Sequence, residues 1–241
     1  MSMRLYDYGP SPNCHKVRIL LAQLGRDYER VPTDIFGGDT LRPDYLEKNP
    51  GLTTPVLEIE PGVYLPESGA ILLYLAEGTE LLPDDPIERA HVHRWMMYEQ
   101  ARLFAIVGAL RFFVLTGRID PESREARQQL RFSTAAVGQA ESHLASHDFF
   151  VGGRYTVADV ALYGYLQVAH EAGVEMGAFP NVGAWLDRVR EQPGHVADLE
   201  PYPENAQVGR SRSIYDLVIE RPAEPDEEVR SPRADGATAA G

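Results

Sequence analysis

The chain has 241 residues, 44% hydrophobic and 24% charged, the balance of an ordinary globular protein with room for two modest domains. Its formal net charge of −13 argues against electrostatically driven binding to nucleic acid or to an anionic membrane. The single cysteine excludes an intramolecular disulfide framework and a cysteine-based zinc site, and no apolar run approaches the roughly 20 residues of a membrane span. The longest such run, 103–115, is broken by Arg111. The N-terminus carries Arg4 in a strand-like segment and lacks the apolar stretch of a secretion signal, so a cytoplasmic location is expected.

Residues 4–8, "RLYDY", alternate and are rich in aromatics, which predicts a strand. Ser11-Pro12 then predicts a helix start, because the hydroxyl can cap and proline lacks the N–H that would be unpaired at the first position. Val17, Leu20, Leu21 and Leu24 recur at helical spacing and Gly25 ends the helix. With a second strand over 28–33 this is a βαβ unit, hence a parallel pair crossed by a helix. Residues 54–65 read as a hairpin around Pro61-Gly62, and 68–75 as a further helix. From Asp84 the character changes to long helical patterns over 88–115 and 121–147. Thr156 to Asp159 predicts a capping box opening another helix, and 180–191 supplies one more.

Three local motifs stand out: "SPNCHKVRILL", "NPGLTTPVLEI" and "LPESGAILLYLAE", with "YTVADVAL" further on. Together with the β-α-β, β-β-α order and the helical remainder, they resemble the cytosolic glutathione transferases over about residues 3–200. The first loop is similar to the nu class and also to the theta class. The resemblance implies a thioredoxin-like α/β domain over 1–80 that binds glutathione as co-substrate, an all-helical domain over 88–210, and a homodimer. Residues 211–241, proline-rich and acidic from Glu220, are expected to lack fixed structure.

"SPNC" reads as a Cys-x-x-Cys redox motif whose first cysteine has become serine. The missing nucleophile is then the substrate's own thiol. A thiolate at a helix N-terminus is stabilised by unpaired N–H groups and by the helix dipole. Lowering a thiol pKa of about 8.5 by two units takes roughly 2.7 kcal/mol and makes thiolate the major form at pH 7. Ser11 and Asn13 are the catalytic candidates as hydrogen-bond donors to that sulfur, although spacing alone allows Ser11 to be only a cap and Asn13 only a turn residue. Resemblance to the nu class favours Asn13 and to the theta class Ser11, and the two are expected to act together. Cys14, third in the helix, is expected to point inward as an unreactive thiol.

The resemblance makes Pro55 a cis proline and assigns the Thr54 backbone to glutathione's cysteinyl group. It assigns Ser68 and the helix start to the γ-glutamyl carboxylate, and Glu67 to the ammonium group. Each of these also has a plain structural reading, as a strand-initiating proline or an acidic capped helix. Where relatives place lysine or glutamine, this chain has Thr53 and Thr54, so Thr40 or Arg42 is expected to meet the glycyl carboxylate. Aromatic residues between Trp95 and Phe113 are expected partly in the core and partly at an acceptor pocket. No histidine–carboxylate cluster has metal-ligand spacing, and no metal is expected.

The implied activity is attack of activated glutathione on a hydrophobic electrophile, or reduction of a disulfide or peroxide. The rival readings are a zeta-like isomerase of maleylacetoacetate type, whose cysteine directly follows a serine pair where Pro12 and Asn13 stand here, and a non-catalytic binding or regulatory member.

Overall fold

A computed structural model of the protein describes residues 3–219. Strand β1, Met3–Asp7, pairs in parallel with β2, Tyr28–Pro32, with Met3 opposite Tyr28. Helix α1, Pro12–Gln23, connects them. The Ser11 hydroxyl accepts from the Cys14 amide at 3.3 Å, and the helix is followed by Gly25 at φ 59°. Helix α2, Pro43–Leu46, is a single turn before β3, Val56–Glu60, and β4, Val63–Pro66. The sheet order is β2-β1-β3-β4, with β3 antiparallel to both neighbours. Helix α3, Ser68–Ala76, closes this thioredoxin-like domain, and Leu5, Val17, Leu21, Leu57, Ile71 and Leu72 fill its core.

The second domain is all-helical. Helix α4, Pro86–Tyr98, runs into a π-helical stretch, Glu99–Gly108, and on into α5, Ala109–Leu115. A uniform helical period over 88–115 does not announce this change to i→i+5 bonding. Helices α6, Arg124–Leu144, α7, Val157–Leu166, and α8, Pro180–Arg190, complete the bundle. Every residue of α7 is buried. Its start is held by Asp159, which accepts from the Thr156 N–H and hydroxyl, the Phe150 N–H and the Trp185 indole.

Close approach and buried charge fix the two domains together. A Cβ on Gly164 of α7 would lie 3.3 Å from the Pro12 carbonyl oxygen, so glycine there lets α7 sit against the first turn of α1. Lys16 of α1 reaches Glu99 at 3.0 Å, both side chains fully enclosed. Asp7 and Asp198 share Arg18, at 2.6 and 2.9 Å, which ties the end of β1 to the segment after α8.

The tail departs from expectation. Residues 211–219 are folded and end in helix α9, Ile214–Ile219. The reason is a buried cation in the bundle: Arg118 donates to the Ala206 carbonyl, to Ser211 and to Asp216 at 2.7 Å, and this segment supplies the last two of these acceptors. The rest of the expected tail, from 220, lies outside the described residues. No helix among the described residues is long and apolar enough to cross a membrane.

Candidate functional site

A cavity of about 290 Å³ opens between the two domains. Ser11, Asn13, Thr40, Thr54, Pro55, Glu67 and Ser68 all line it, although they come from four separate segments. The sheet brings them together: α1 and α3 both start beside the loop that enters β3, at one edge of the cavity.

Ser11 stands at the start of α1. Its oxygen already accepts from the Cys14 N–H, and a hydroxyl that accepts retains its own proton to donate. Asn13 is half-buried, and its Oδ1 accepts from the Ser68 hydroxyl at 3.3 Å. That bond assigns the carbonyl side of the amide to Ser68 and leaves the amide N–H donors for the cavity.

The Thr54–Pro55 peptide is cis. The carbonyl of Thr53, just before it, is held by the Tyr45 hydroxyl at 2.8 Å and by Asn49 Nδ2 at 2.9 Å. Among the described residues no hydrogen bond uses the Thr54 N–H or C=O, so both remain available to an extended peptide. Glu67 has φ 70° and ψ 110°, a conformation that side chains rarely adopt, and it is exposed at the cavity rim. No side chain caps the N–H groups at the start of α3, which leaves them to an anion.

Two expectations divide here. Thr40 is enclosed and lines the cavity, whereas Arg42 is exposed, pairs with Asp44 at 3.2 Å and does not line it. Cys14 is wholly buried and takes the Tyr8 N–H on its sulfur, and burial pushes its thiol up to about 12. It stays protonated at any ordinary pH and is no nucleophile.

The chain is similar to known proteins in sequence and fold. Residues 5–81 match the family described as glutathione S-transferase, N-terminal domain, and residues 103–193 match glutathione S-transferase, C-terminal domain. The maleylacetoacetate isomerase of Rhizobium meliloti (strain 1021) is 35% identical over 192 residues, which is 76% of this chain and 89% of that one. The chain belongs to the glutathione S-transferase family. Within it, the disulfide-bond oxidoreductase YfcG of Escherichia coli (strain K12) is 27% identical over 215 residues, covering 86% of this chain and 97% of the relative. A solved glutathione transferase family member from Pseudomonas fluorescens Pf-5, with two glutathione bound, is 29% identical with a TM-score of 0.75, covering 83% of this chain and 92% of that one.

The far wall of the cavity in this member of the glutathione S-transferase family was largely missed from sequence. Of the aromatics noted in the first long helix, Phe104, Phe112 and Phe113 line it, while Trp95 belongs to the core. Tyr8, Arg111, Tyr165 and Tyr202 also line it, and so do Ser213, Ile214 and Tyr215 from the segment expected to be unstructured. One signal was present: an arginine inside the apolar run 103–115 had to be paired or functional. It pairs with Glu171 at 2.5 Å and with the Tyr202 hydroxyl at 3.2 Å.

Proposed function

We propose that the protein is a cytoplasmic glutathione-dependent transferase that activates the thiol of bound glutathione for attack on an acceptor held in the aromatic half of the cavity. The observation that carries this reading is the convergence of Ser11, Asn13, Thr54, Glu67 and Ser68 on one cavity, in a chain of the glutathione S-transferase family. The Thr54 N–H and C=O pair with the cysteinyl backbone of the peptide, which fixes where its sulfur lies. The γ-glutamyl carboxylate meets the open N–H groups at the start of α3, beside the Ser68 hydroxyl, whose one proton goes to Asn13 Oδ1, and Glu67 accepts from the ammonium group. Thr40 takes part of the glycyl carboxylate. The sulfur then sits at the start of α1, where the Ser11 hydroxyl and the Asn13 amide donate to the thiolate and hold its pKa down.

Two acceptor chemistries use the same thiolate. With an electrophile, sulfur forms a bond to carbon and the leaving group departs with its electron pair. With a disulfide, the thiolate displaces one sulfur as thiolate and a mixed disulfide forms. The nu-like loop and the similarity to YfcG support disulfide reduction as one of the two activities. A maleylacetoacetate-type isomerisation has the 35% identical relative in its favour. Against it stands the loop, in which Pro12 and Asn13 separate Ser11 from a buried Cys14. The working unit is a homodimer on this reading, measurable by sedimentation.

The deciding experiment is an ultraviolet titration of thiolate for glutathione bound to the protein, with Ser11→Ala and Asn13→Ala beside it. A bound pKa well below the free value, restored by either substitution, supports activation and names the donor. Binding with an unshifted pKa, or no binding, supports the reading as a non-catalytic member of the fold.

A further inference from the structure

In the wall of the cavity, on the residue whose carbonyl accepts from the Ser11 N–H, a polar group stands without a partner. The Tyr8 side chain is 6% exposed, and its hydroxyl is buried with no hydrogen-bond partner among the described residues. A buried hydroxyl left unpaired costs on the order of 1–3 kcal/mol, which a ligand that accepts from it returns. Tyr8 lines the cavity, as do Arg111 and Tyr202. The Tyr8 ring packs edge-on to Phe36 at 5.7 Å, and Phe36 stacks on Phe112 at 6.0 Å, which carries the contact to the residue next to Arg111. The guanidinium of Arg111 lies over the Tyr202 ring at 4.9 Å.

The protonation states of the three groups follow from their surroundings. Burial, with Tyr202, Asp34 and Glu200 adding to it and Arg111 opposing, holds the Tyr8 phenol far above its ordinary range, so it remains an O–H donor. Burial likewise raises Tyr202, which takes a hydrogen bond from Arg111 Nη1 and keeps its own proton to give. Arg111 has five N–H donors; Glu171 takes the one on Nε and Tyr202 one on Nη1. Donors from Tyr8, Tyr202 and Arg111 therefore stand together in a wall that Phe104, Phe112 and Tyr165 also form, and Arg111 is the one cation among the described residues that line the cavity. A group that only accepts, is planar and carries negative charge completes such a set.

We propose that Tyr8, Arg111 and Tyr202 form a carboxylate subsite, and that the preferred acceptor is a small aromatic molecule bearing a carboxylate as well as its reactive centre. This rests on the reading of the site as a glutathione transferase. The aromatic ring packs among Phe104, Phe112 and Tyr165, and the carboxylate end fixes which atom is presented to the sulfur.

The test uses the full-length protein with 4-(bromomethyl)benzoate and its methyl ester as paired acceptors, following conjugation to glutathione for the wild type, Tyr8→Phe and Arg111→Gln. The expected result is a kcat/KM for the acid above that for the ester. The acid-to-ester ratio should fall about tenfold or more in Tyr8→Phe, the scale of one hydrogen bond to a charged group. Tyr8→Phe removes only an unpartnered oxygen, so it keeps the test sound where Arg111→Gln fails to fold. A wild-type ratio at or below one, or a ratio unmoved in Tyr8→Phe, overturns the proposal. A rise in the KM for glutathione with the ratio unchanged overturns it too, by assigning these donors to glutathione's own carboxylate. Calorimetric binding of 4-methylbenzoate against 4-methylbenzamide separates this proposal from the thiol chemistry. Tighter binding of the acid, lost in Tyr8→Phe, supports the subsite even where no conjugation occurs, and equal binding overturns it.

Discussion

The Ser68 hydroxyl donates to Asn13 Oδ1 across 3.3 Å, so the first turn of α3 orients the side chain at the first turn of α1. The proposed γ-glutamyl subsite and the proposed thiol-activating amide are thereby one connected unit. Ser68→Ala is expected to raise the pKa of bound glutathione by about one unit, a loss of about 1.4 kcal/mol of thiolate stabilisation. In an Asn13→Ala background the same change should do little, because neighbours in one hydrogen-bond network are not additive. Equal effects of Ser68→Ala in both backgrounds would show that Ser68 does not act through Asn13.

Glu67 holds φ 70° with a side chain that caps nothing. Backbone strain of this kind costs on the order of 1–3 kcal/mol and persists where function requires the residue. Glu67→Gly relieves it, at the cost of a more flexible unfolded chain. Urea unfolding should therefore show the variant as stable as the wild type or more so by about 1 kcal/mol, while its Kd for glutathione rises. A variant that is destabilised and binds glutathione normally would refute the assignment of Glu67 to the ligand's ammonium group.

His15 is enclosed between Val196 and Gln167. Its Nε2 meets the Val196 carbonyl at 2.9 Å and its Nδ1 meets Gln167 Nε2 at 2.9 Å, a pattern that suits the neutral ring. Burial pushes its pKa down to about 4, with Arg18 and His195 pulling the same way and the Val196 carbonyl and Asp198 opposing. In the unfolded chain the ring titrates near 6.5, so the unfolded state takes up the proton first. The stability from this site is complete above about pH 6.5 and is lost as the pH falls towards about 4, to an extent of about 3 kcal/mol. Urea midpoints for the wild type and His15→Gln, measured from pH 7.5 to 5, should converge as the solution is acidified. A gap independent of pH would rule out His15 as the source of acid sensitivity.

Residues 211–219 supply two acceptors of Arg118, Ser211 and Asp216, and part of the cavity wall. A chain ending at Arg210 leaves Arg118 without Ser211 and Asp216, and removing one partner of a buried ion pair costs about 3–5 kcal/mol. A chain ending at Ile219 keeps both. The shorter chain is expected to melt markedly lower and to show a raised KM for acceptors, while the longer one retains the wild-type melting temperature and KM. Equal behaviour of the two chains would refute a role for α9.

Much of the framework was legible because its signals are local. Ser11-Pro12 and Gly25 bound α1, Pro61-Gly62 turns the hairpin, and Thr156 with Asp159 opens α7; each depends on a few adjacent residues and their backbone geometry. That the residues proposed for glutathione line one cavity has a similar reason, since Ser11, Asn13, Glu67 and Ser68 lie at helix starts that the sequence marks. The π-helical turn at Glu99–Gly108 gave no such sign, because the pattern of apolar residues does not register one extra residue per turn. The tail was misread as far as Ile219. Its Ile214, Tyr215, Leu217, Val218 and Ile219 are apolar, and it is tied to the bundle by Arg118, nearly a hundred residues earlier, which donates to Ser211 and Asp216.

The sequence by itself determined the two-domain order, the capped helices and the family, because these follow from short-range spacing and from motifs a dozen residues long. Only the tertiary structure decided where the side chains meet. Arg111 is, in sequence, merely a charge in an apolar helix, Tyr8 a strand-end aromatic and Tyr202 a loop residue. Packing of α5 and the segment after α8 against the end of β1 places all three on one chamber. Hydrogen-bond satisfaction is a property of that meeting, and no spacing along the chain encodes it.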